Sequence, residues 1–206
     1  MVILMSADRC PVYLALVHHP VYNKHGEKIT TTVTNLDLHD ISRAARTYHI
    51  ERYYVVNRVK SQQALVRRMR DYWTSGHGAE YNASRHEAFK VLEIADCIED
   101  VFSDIRQETG MDPVSITTSA QEYPGAERIS FSGLRSRLGE KRVPHLILLG
   151  TGWGLTEEMI AECDLQLEPI SGCGDFNHLS VRTAGAIIMD RLLADSWWNQ
   201  ENKYRE

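Results

Sequence analysis

Several features are scarce in this sequence, and each absence excludes a class of protein. Its four cysteines, Cys10, Cys97, Cys163 and Cys173, form no CxxC pair and have no zinc-like spacing to histidine, so neither a disulfide framework nor a zinc site is expected. No apolar run approaches the roughly 18 residues of a membrane helix. The apolar stretch 1–5 is too short for a signal peptide and lacks its basic flank. We therefore expect a cytoplasmic protein with no metal site and no membrane span.

The sequence also has no internal repeat and no low-complexity linker, and its 206 residues suit a single domain spanning 1–206. The net charge of −5 argues against attraction of nucleic acid by the whole surface. Basic residues are nevertheless clustered, and two interpretations of the clusters stay open: solvated helix faces, or a phosphate-facing stripe. The first cluster comprises Arg43, Arg46, Arg52, Arg58, Lys60, Arg67, Arg68 and Arg70, and the second Arg128, Arg135, Arg137, Lys141 and Arg142.

Short apolar runs alternate with amphipathic segments along the whole chain. Strands are predicted at 11–17, 52–57, 114–118, 143–149 and 165–170. Helices are predicted at 38–48, where Asn35 to Asp37 offer caps, and at 61–73, 129–138, 156–162 and 179–197, with one long helix or two in 84–109. Segments 22–34 and 75–79 are predicted as loops. This alternation predicts an α/β fold, in which a mostly parallel sheet carries helices on both faces.

Three alternate glycines, Gly150, Gly152 and Gly154, follow the most apolar predicted strand. Glycine lets a backbone approach a ligand closely and adopt φ values that other residues avoid. The carboxyl ends of strands are where open α/β sheets bind ligands. A second loop, 169–178, also lies between a strand and a helix, so the two loops can form two walls of one pocket. The alternative is a tight strand-to-helix turn without a ligand.

Two nucleotide-binding interpretations of the glycine loop can be weighed. Glu168, at the end of the next strand, imitates the ribose-binding acid of a dinucleotide site. Such a site opens its domain, however, whereas only one strand and one helix follow here. A P-loop fails because no Gly-Lys-Ser/Thr follows, and Glu157 and Glu158 would repel a phosphate at the helix start. The same two acids favour a cationic ligand.

Segments 148–158 and 171–175, together with the helix through Asp190, resemble the two C-terminal motifs of SPOUT (knotted RNA) methyltransferases. Their order is similar to that in the bacterial tRNA guanine-N1 methyltransferases, and a related stand-alone bacterial group is the nearest resemblance. It implies a deep trefoil knot at about 114–197, bound S-adenosylmethionine (SAM), a homodimer through the C-terminal helix, and tRNA or rRNA as substrate. Thr151 and Trp153 replace the Arg and Glu of the tRNA enzyme, so its substrate and base are not carried over.

The resemblance also implies that three loops hold the cofactor, with Ser119 beside the first of them. Asn177 has a second interpretation, as the cap of the last helix. The expected cofactor-binding residues are Thr117, Thr118, Leu148, Leu149, Gly150, Thr151, Gly152, Trp153, Gly154, Leu155, Pro169, Ile170, Ser171, Gly172, Asn177, His178, Leu179 and Ser180.

Catalytic candidates each have a structural alternative. Asp175 is a candidate general base, or it bonds the backbone of its own turn. Arg182 clamps a phosphate or orients a base, or it is a surface or interface arginine. Trp153 stacks on a base or anchors the core, and His18-His19 faces the site or lies on a loop surface.

Three functional hypotheses follow. The first is SAM-dependent methylation of an RNA base or ribose by a homodimer. The second is a non-catalytic SAM-binding or dimerisation module. The third, a dinucleotide-dependent enzyme, is disfavoured by the order of elements along the chain.

Overall fold

A seven-stranded sheet forms the centre of the computed structural model, and every neighbouring pair of its strands is parallel. The structure describes residues 10–120, 123, 127–140, 143–174, 176–195 and 197. The strands are β1 (Val12–Val17), β4 (Tyr53–Val56), β5 (Leu92–Ala95), β6 (Val114–Thr117), β7 (Glu127–Ile129), β8 (His145–Gly150) and β9 (Leu165–Leu167), and a separate hairpin joins β2 (Val21–Tyr22) to β3 (Lys28–Ile29). The helices are α1 (Asn35–Thr47), α2 (Lys60–Thr74), α3 (His77–Tyr81), α4 (Ala83–Phe89), α5 (Ile98–Thr109), α6 (Phe131–Glu140), α7 (Glu157–Ala161) and α8 (Val181–Leu193). The predicted α/β fold with a mostly parallel sheet is confirmed.

The central strands are apolar throughout because both faces of the sheet are covered. All six residues of β1 are buried. Alternate residues enter different cores: Leu14 and Leu16 pack on the side of α1, α2, α6 and α8, whereas Tyr13 and Ala15 pack on the side of α5 and α7. This period-two alternation places helices on both faces, as the sequence predicts.

The strand order β5-β4-β1-β8-β6-β9-β7 creates a change of direction at the middle of the sheet. From β1 the chain winds outwards through β4 and β5, and it then crosses to β6 on the other side. The crevice beside such a switch point, at the carboxyl ends of the strands, is where α/β sheets bind ligands. Here that crevice lies next to Val17 and Gly150, which are paired in register.

Two segments differ from the sequence-based prediction because pairing with distant strands decides their structure. Residues 84–109, predicted as helical, contain β5, which lies at the sheet edge and pairs with β4 through Tyr53 and Leu92. Only Leu92 and Ala95 of its four residues are buried, so its apolar pattern is too short to reveal a strand. The predicted loop 22–34 contains the end of β2 and all of β3, and Val21 forms a bridge to Leu155 beyond the glycine loop.

Smaller differences concern the ends of elements. Helix α1 begins one turn earlier than predicted, because the Thr34 hydroxyl accepts a hydrogen bond from the backbone amide of Asp37 and so caps the helix. Helix α3 begins within the predicted loop 75–79, and β7 takes the first residue of the helix predicted at 129–138. Helix α8 is capped by Ser180 rather than Asn177, and it ends at Leu193.

None of the helices that the structure describes combines the length and apolar character needed to cross a bilayer.

Candidate functional site

A cavity of about 640 Å³ opens at the carboxyl ends of β1, β8, β6 and β9. Its described walls come from two parts of the chain. One wall belongs to the β1–α1 segment and carries His18, Thr31, Thr32, Thr34 and Asp37. The other belongs to the segment after β6, the glycine loop and the chain from Glu168 into α8, with Leu149, Ile170, Val181, Ala184 and Ile188 as its apolar part. The volume lies within the roughly 300–1,000 Å³ of small-molecule sites.

The β2–β3 hairpin holds the glycine loop in place. The Trp153 amide donates to the Tyr22 carbonyl at 2.9 Å, and the Tyr22 amide donates to the Gly154 carbonyl at 3.0 Å. Gly152 has a φ of +61°, and a Cβ there would lie 2.8 Å from the Tyr22 carbonyl oxygen. Packing against the hairpin, rather than close approach to a ligand, is therefore the reason for glycine at 152.

The structure brings many of the residues expected to bind a cofactor to this cavity. Those that line it are Thr118, Leu149, Gly150, Thr151, Gly152, Trp153, Gly154, Ile170, Asn177, His178, Leu179 and Ser180, with Ser119 beside them. Six of the expected cofactor-binding residues lie outside the lining: Thr117, Leu148, Leu155, Pro169, Ser171 and Gly172. The catalytic candidate Arg182 lies outside it as well. Thr117, Leu148 and Leu155 are core residues, because they belong to the paired strands and to the turn packed beneath the loop. Asp175 lies outside the described residues.

The wall from the β1–α1 segment carries residues that the sequence analysis treated as a loop and a helix cap. A chain of hydrogen bonds organises it. His18 Nδ1 lies 2.9 Å from Thr31 Oγ1, which lies 2.5 Å from Thr151 Oγ1, and Thr151 donates to the Val17 carbonyl at 2.9 Å. The threonine cluster followed by an acid at a helix start was the available sequence signal.

His18 is a buried imidazole at the end of β1, with 1% of its surface exposed. Burial disfavours the charged ring and lowers the pKa of His18 from 6.5 to about 4. Its Nε2 is buried and has no hydrogen-bond partner among the described residues. His18 is therefore neutral at physiological pH.

The buried His18 ring predicts a pH-dependent stability. The unfolded chain takes up a proton near pH 6.5 and the folded chain only near pH 4, so stability is lost as the pH falls through this window. We expect a loss of about 3 kcal/mol in the free energy of unfolding. Urea unfolding of the wild type and of His18→Asn at several pH values measures it, because other groups titrate equally in both proteins. A difference between the two that does not change with pH would contradict the prediction.

Arg182, a candidate for clamping a phosphate, is bound to two carboxylates of α1. Its Nε lies 3.3 Å from Asp37 Oδ1 and its Nη1 3.1 Å from Asp40 Oδ2. The Thr34 hydroxyl donates to the second oxygen of Asp37 at 2.6 Å. Arg182 thus connects α8 to α1 beside the cavity, and its charge is already compensated.

The exposure of Trp153 decides between its two interpretations, as a residue that stacks on a base and as an anchor in the core. Trp153 is 67% exposed and lines the cavity, so its interpretation as a core anchor is wrong. Phe176 is also exposed, and its ring packs edge-on against His178. The cavity lining therefore includes the aromatic rings of Trp153 and His178, and Phe176 packs against the second of them.

Several of the charged residues that the sequence singled out form ion pairs with oppositely charged residues elsewhere in the chain. Glu158 binds Lys28 at 2.8 Å and lies outside the lining of the main cavity, so the structure does not support it as the acceptor of a cationic ligand. In the first basic cluster the acid-bound members are Arg46 with Glu87, Arg52 with Glu93 and Glu108, Lys60 with Asp96, and Arg70 with Glu93. These pairs favour solvated faces over a phosphate-facing stripe. Lys141 and Arg142 of the second cluster lie outside the described residues.

The residues present fit a nucleoside-bearing cofactor. The cavity combines an apolar patch with backbone groups of a glycine-containing turn, which is the usual composition of cofactor sites. Within the described part of the chain no group of three or more His, Cys, Asp or Glu is arranged to hold a metal ion.

Comparison with known proteins identifies relatives over most of the chain. The family described as SAM-dependent RNA methyltransferase matches residues 11–194. An uncharacterized protein of Aquifex aeolicus is 40% identical over 183 residues, covering 89% of this chain and 88% of that protein. A tRNA (guanine-N(1)-)-methyltransferase of Oleidesulfovibrio alaskensis is also 40% identical, over 185 residues, but these are 90% of this chain and only 42% of the relative.

Among solved structures, the SpoU methyltransferase AviRb of Streptomyces viridochromogenes in complex with the cofactor AdoMet has the same fold. Its TM-score is 0.55 at 12% identity, and the match covers 91% of this chain and 58% of that chain. At this identity the likeness concerns the fold alone.

Proposed function

The chain belongs to the family of SAM-dependent RNA methyltransferases, and from this membership we propose that it binds SAM in the cavity at the carboxyl ends of β1 and β8 and methylates a base or ribose of tRNA or rRNA. The observation that carries the proposal is the shared cavity of the glycine loop and the segment from Glu168 into α8. Those are two of the three loops that the SPOUT resemblance assigns to the cofactor. The chain spans less than half of its tRNA methyltransferase relative, so the substrate is inferred.

When bound, SAM supplies a methyl group on a positively charged sulfur. The residues of this chain have to bind it, orient the accepting atom and exclude water. Backbone groups of the glycine loop and the apolar side chains Leu149, Ile170 and Ile188 suit the adenosine. We assign Arg182 to positioning, because Asp37 and Asp40 already compensate its charge. Asp175 keeps its proposed role as base.

We further propose the assembly that the family resemblance implies. Residues 1–206 form one domain, the segment 114–197 forms a trefoil knot, and two chains associate as a cytoplasmic homodimer. The apolar face of α8 already packs on the core of its own chain, so the C-terminal helix needs additional apolar surface for a partner. Trp153, Phe176 and Leu179 provide exposed apolar groups close to its start.

Binding and transfer assays test the proposed function. Calorimetric titration with S-adenosylhomocysteine and with NADH is expected to give binding of the first compound only. Total RNA from a strain lacking the gene, incubated with the protein and methyl-labelled SAM, is expected to take up label in its tRNA or rRNA fraction. Binding of NADH alone would overturn the cofactor assignment. Binding of S-adenosylhomocysteine without any labelled RNA would favour the non-catalytic module.

A further inference from the structure

We propose that His18 Nε2 accepts a hydrogen bond from an N–H or O–H group of the nucleotide that is methylated, which makes His18 a substrate-binding residue. This inference rests on the proposed function and adds to it the residue that receives the substrate. It follows from the direction of the hydrogen bonds behind His18 and from the composition of the wall in which it lies.

His18, Thr31, Thr151 and Val17 are joined by a chain of hydrogen bonds, and the acceptor at the end of this chain, the Val17 carbonyl, sets the direction of every bond in it. The Val17 carbonyl can only accept, so the single hydroxyl hydrogen of Thr151 is used there. Thr31 must then donate its own hydrogen to Thr151. Thr31 has no hydrogen left for His18, so the contact between them is donated by His18 Nδ1–H. A neutral ring protonated at Nδ1 carries a bare lone pair on Nε2.

Burial makes this lone pair significant. It lowers the pKa of His18 to about 4, so the ring stays neutral and Nε2 stays unprotonated at physiological pH. A buried acceptor without a partner costs free energy, and such groups are uncommon in folded proteins. His18 lines the cavity, where a bound donor would satisfy its Nε2.

The two walls of the cavity differ in chemistry, which favours the substrate over the cofactor as the donor. Every lining side chain of the β1–α1 segment can form hydrogen bonds: His18, Thr31, Thr32, Thr34 and Asp37. The apolar side chains of the lining, such as Leu149, Ile170 and Ile188, all lie in the other wall, which contains the glycine loop and also polar side chains such as Glu168, Asn177 and His178. A polar wall with a bare nitrogen acceptor suits the hydrogen-bonding edge or hydroxyl of a nucleotide.

Two substitutions at position 18 separate the two ring nitrogens. His18→Asn keeps a donor near the position of Nδ1 and lacks any group at Nε2, whereas His18→Gln places an amide group near Nε2. For His18→Asn we expect an unchanged affinity for S-adenosylhomocysteine and a roughly tenfold lower kcat/KM for total tRNA from a deletion strain. His18→Gln should recover part of this loss. If His18→Asn had the kcat/KM of the wild type, the inference about His18 would be wrong while the proposed function would still stand. If the wild-type protein transferred no methyl group to RNA, the proposed function itself would be wrong.

Nitrogen NMR on the wild-type protein tests the inference without a substitution in the core. Nitrogen-15-labelled histidine distinguishes a protonated from a bare ring nitrogen, and we expect His18 to be protonated at Nδ1. The Nε2 resonance should shift when total tRNA is added to the complex with S-adenosylhomocysteine. A proton on Nε2, a shift caused by S-adenosylhomocysteine alone, or no shift with tRNA would each overturn the inference.

Thr31 is the positioning residue in this arrangement, because it acts through His18. Thr31→Val removes the acceptor of the Nδ1 proton and should let the ring populate its other tautomer, with a loss of RNA methylation. Thr31→Ser retains the hydroxyl and is expected to keep the wild-type tautomer and activity. Equal NMR spectra of the two variants would contradict the direction assigned to the hydrogen bonds.

Discussion

Replacing Gly150 with alanine is expected to destabilise the protein by about 3 kcal/mol and to abolish binding of S-adenosylhomocysteine. A Cβ on Gly150 would lie 2.6 Å from the amide nitrogen of Leu155 and 3.0 Å from the carbonyl carbon of Gly154. Both are backbone atoms of the same turn, and the hairpin amide and carbonyl of Tyr22 hold that turn from the other side. Relief of the clash therefore requires displacement of the whole glycine loop from the cavity wall.

Urea unfolding and calorimetric titration measure these two effects, and Gly172→Ala is the matched control for stability. A Cβ on Gly172 would meet no atom within 4 Å, so the free energy of unfolding should change little. If Gly150→Ala were as stable as Gly172→Ala and still bound S-adenosylhomocysteine, the glycine loop would not be the rigid wall described above.

Asp37→Ala is expected to lower the free energy of unfolding by about 2 kcal/mol. The Asp37 side chain is 11% exposed, forms an ion pair with Arg182 and accepts a hydrogen bond from Thr34. Its removal leaves a partly buried arginine without one of its two carboxylate partners and weakens the cap of α1. The expected loss is below that of a fully buried pair, because Arg182 is 31% exposed and retains Asp40.

Asp40→Ala provides the comparison, since it removes the other carboxylate from the same arginine. The Asp40 side chain is 51% exposed, and exposed ion pairs contribute about 0–1 kcal/mol. Urea unfolding of both variants should therefore give a clearly larger loss for Asp37→Ala. Equal losses would show that burial of Asp37 does not govern the link between α1 and α8.

The polar wall of the cavity comes from a different part of the chain than the motifs that carry the family resemblance. The C-terminal motifs that carry the family resemblance supply the glycine loop and the segment leading into α8. The buried acceptor without a partner among the described residues, His18 Nε2, comes instead from the β1–α1 segment. A description of the site from its glycine motif alone would therefore contain the proposed cofactor wall and omit the proposed substrate wall.

The amino-acid sequence by itself determined the features that depend on local patterns. The apolar runs of β1 and β8 identify strands covered on both faces, and the spacing of apolar residues identifies α1 and α2. The alternate glycines mark a turn at a strand end. Local periodicity and turn chemistry are properties of neighbouring residues, so they are visible without coordinates.

Tertiary structure alone decided which side chains meet at the cavity. Thr151 is 120 residues from Thr31, and the bond between them exists because β1 and β8 pair with Val17 beside Gly150. The same pairing fixes the tautomer of His18, and the packing of α8 on α1 directs Arg182 to Asp37 rather than to a ligand. Strand register and helix packing arise from the fold as a whole, so hydrogen bonds between distant segments leave no periodic signal in the sequence.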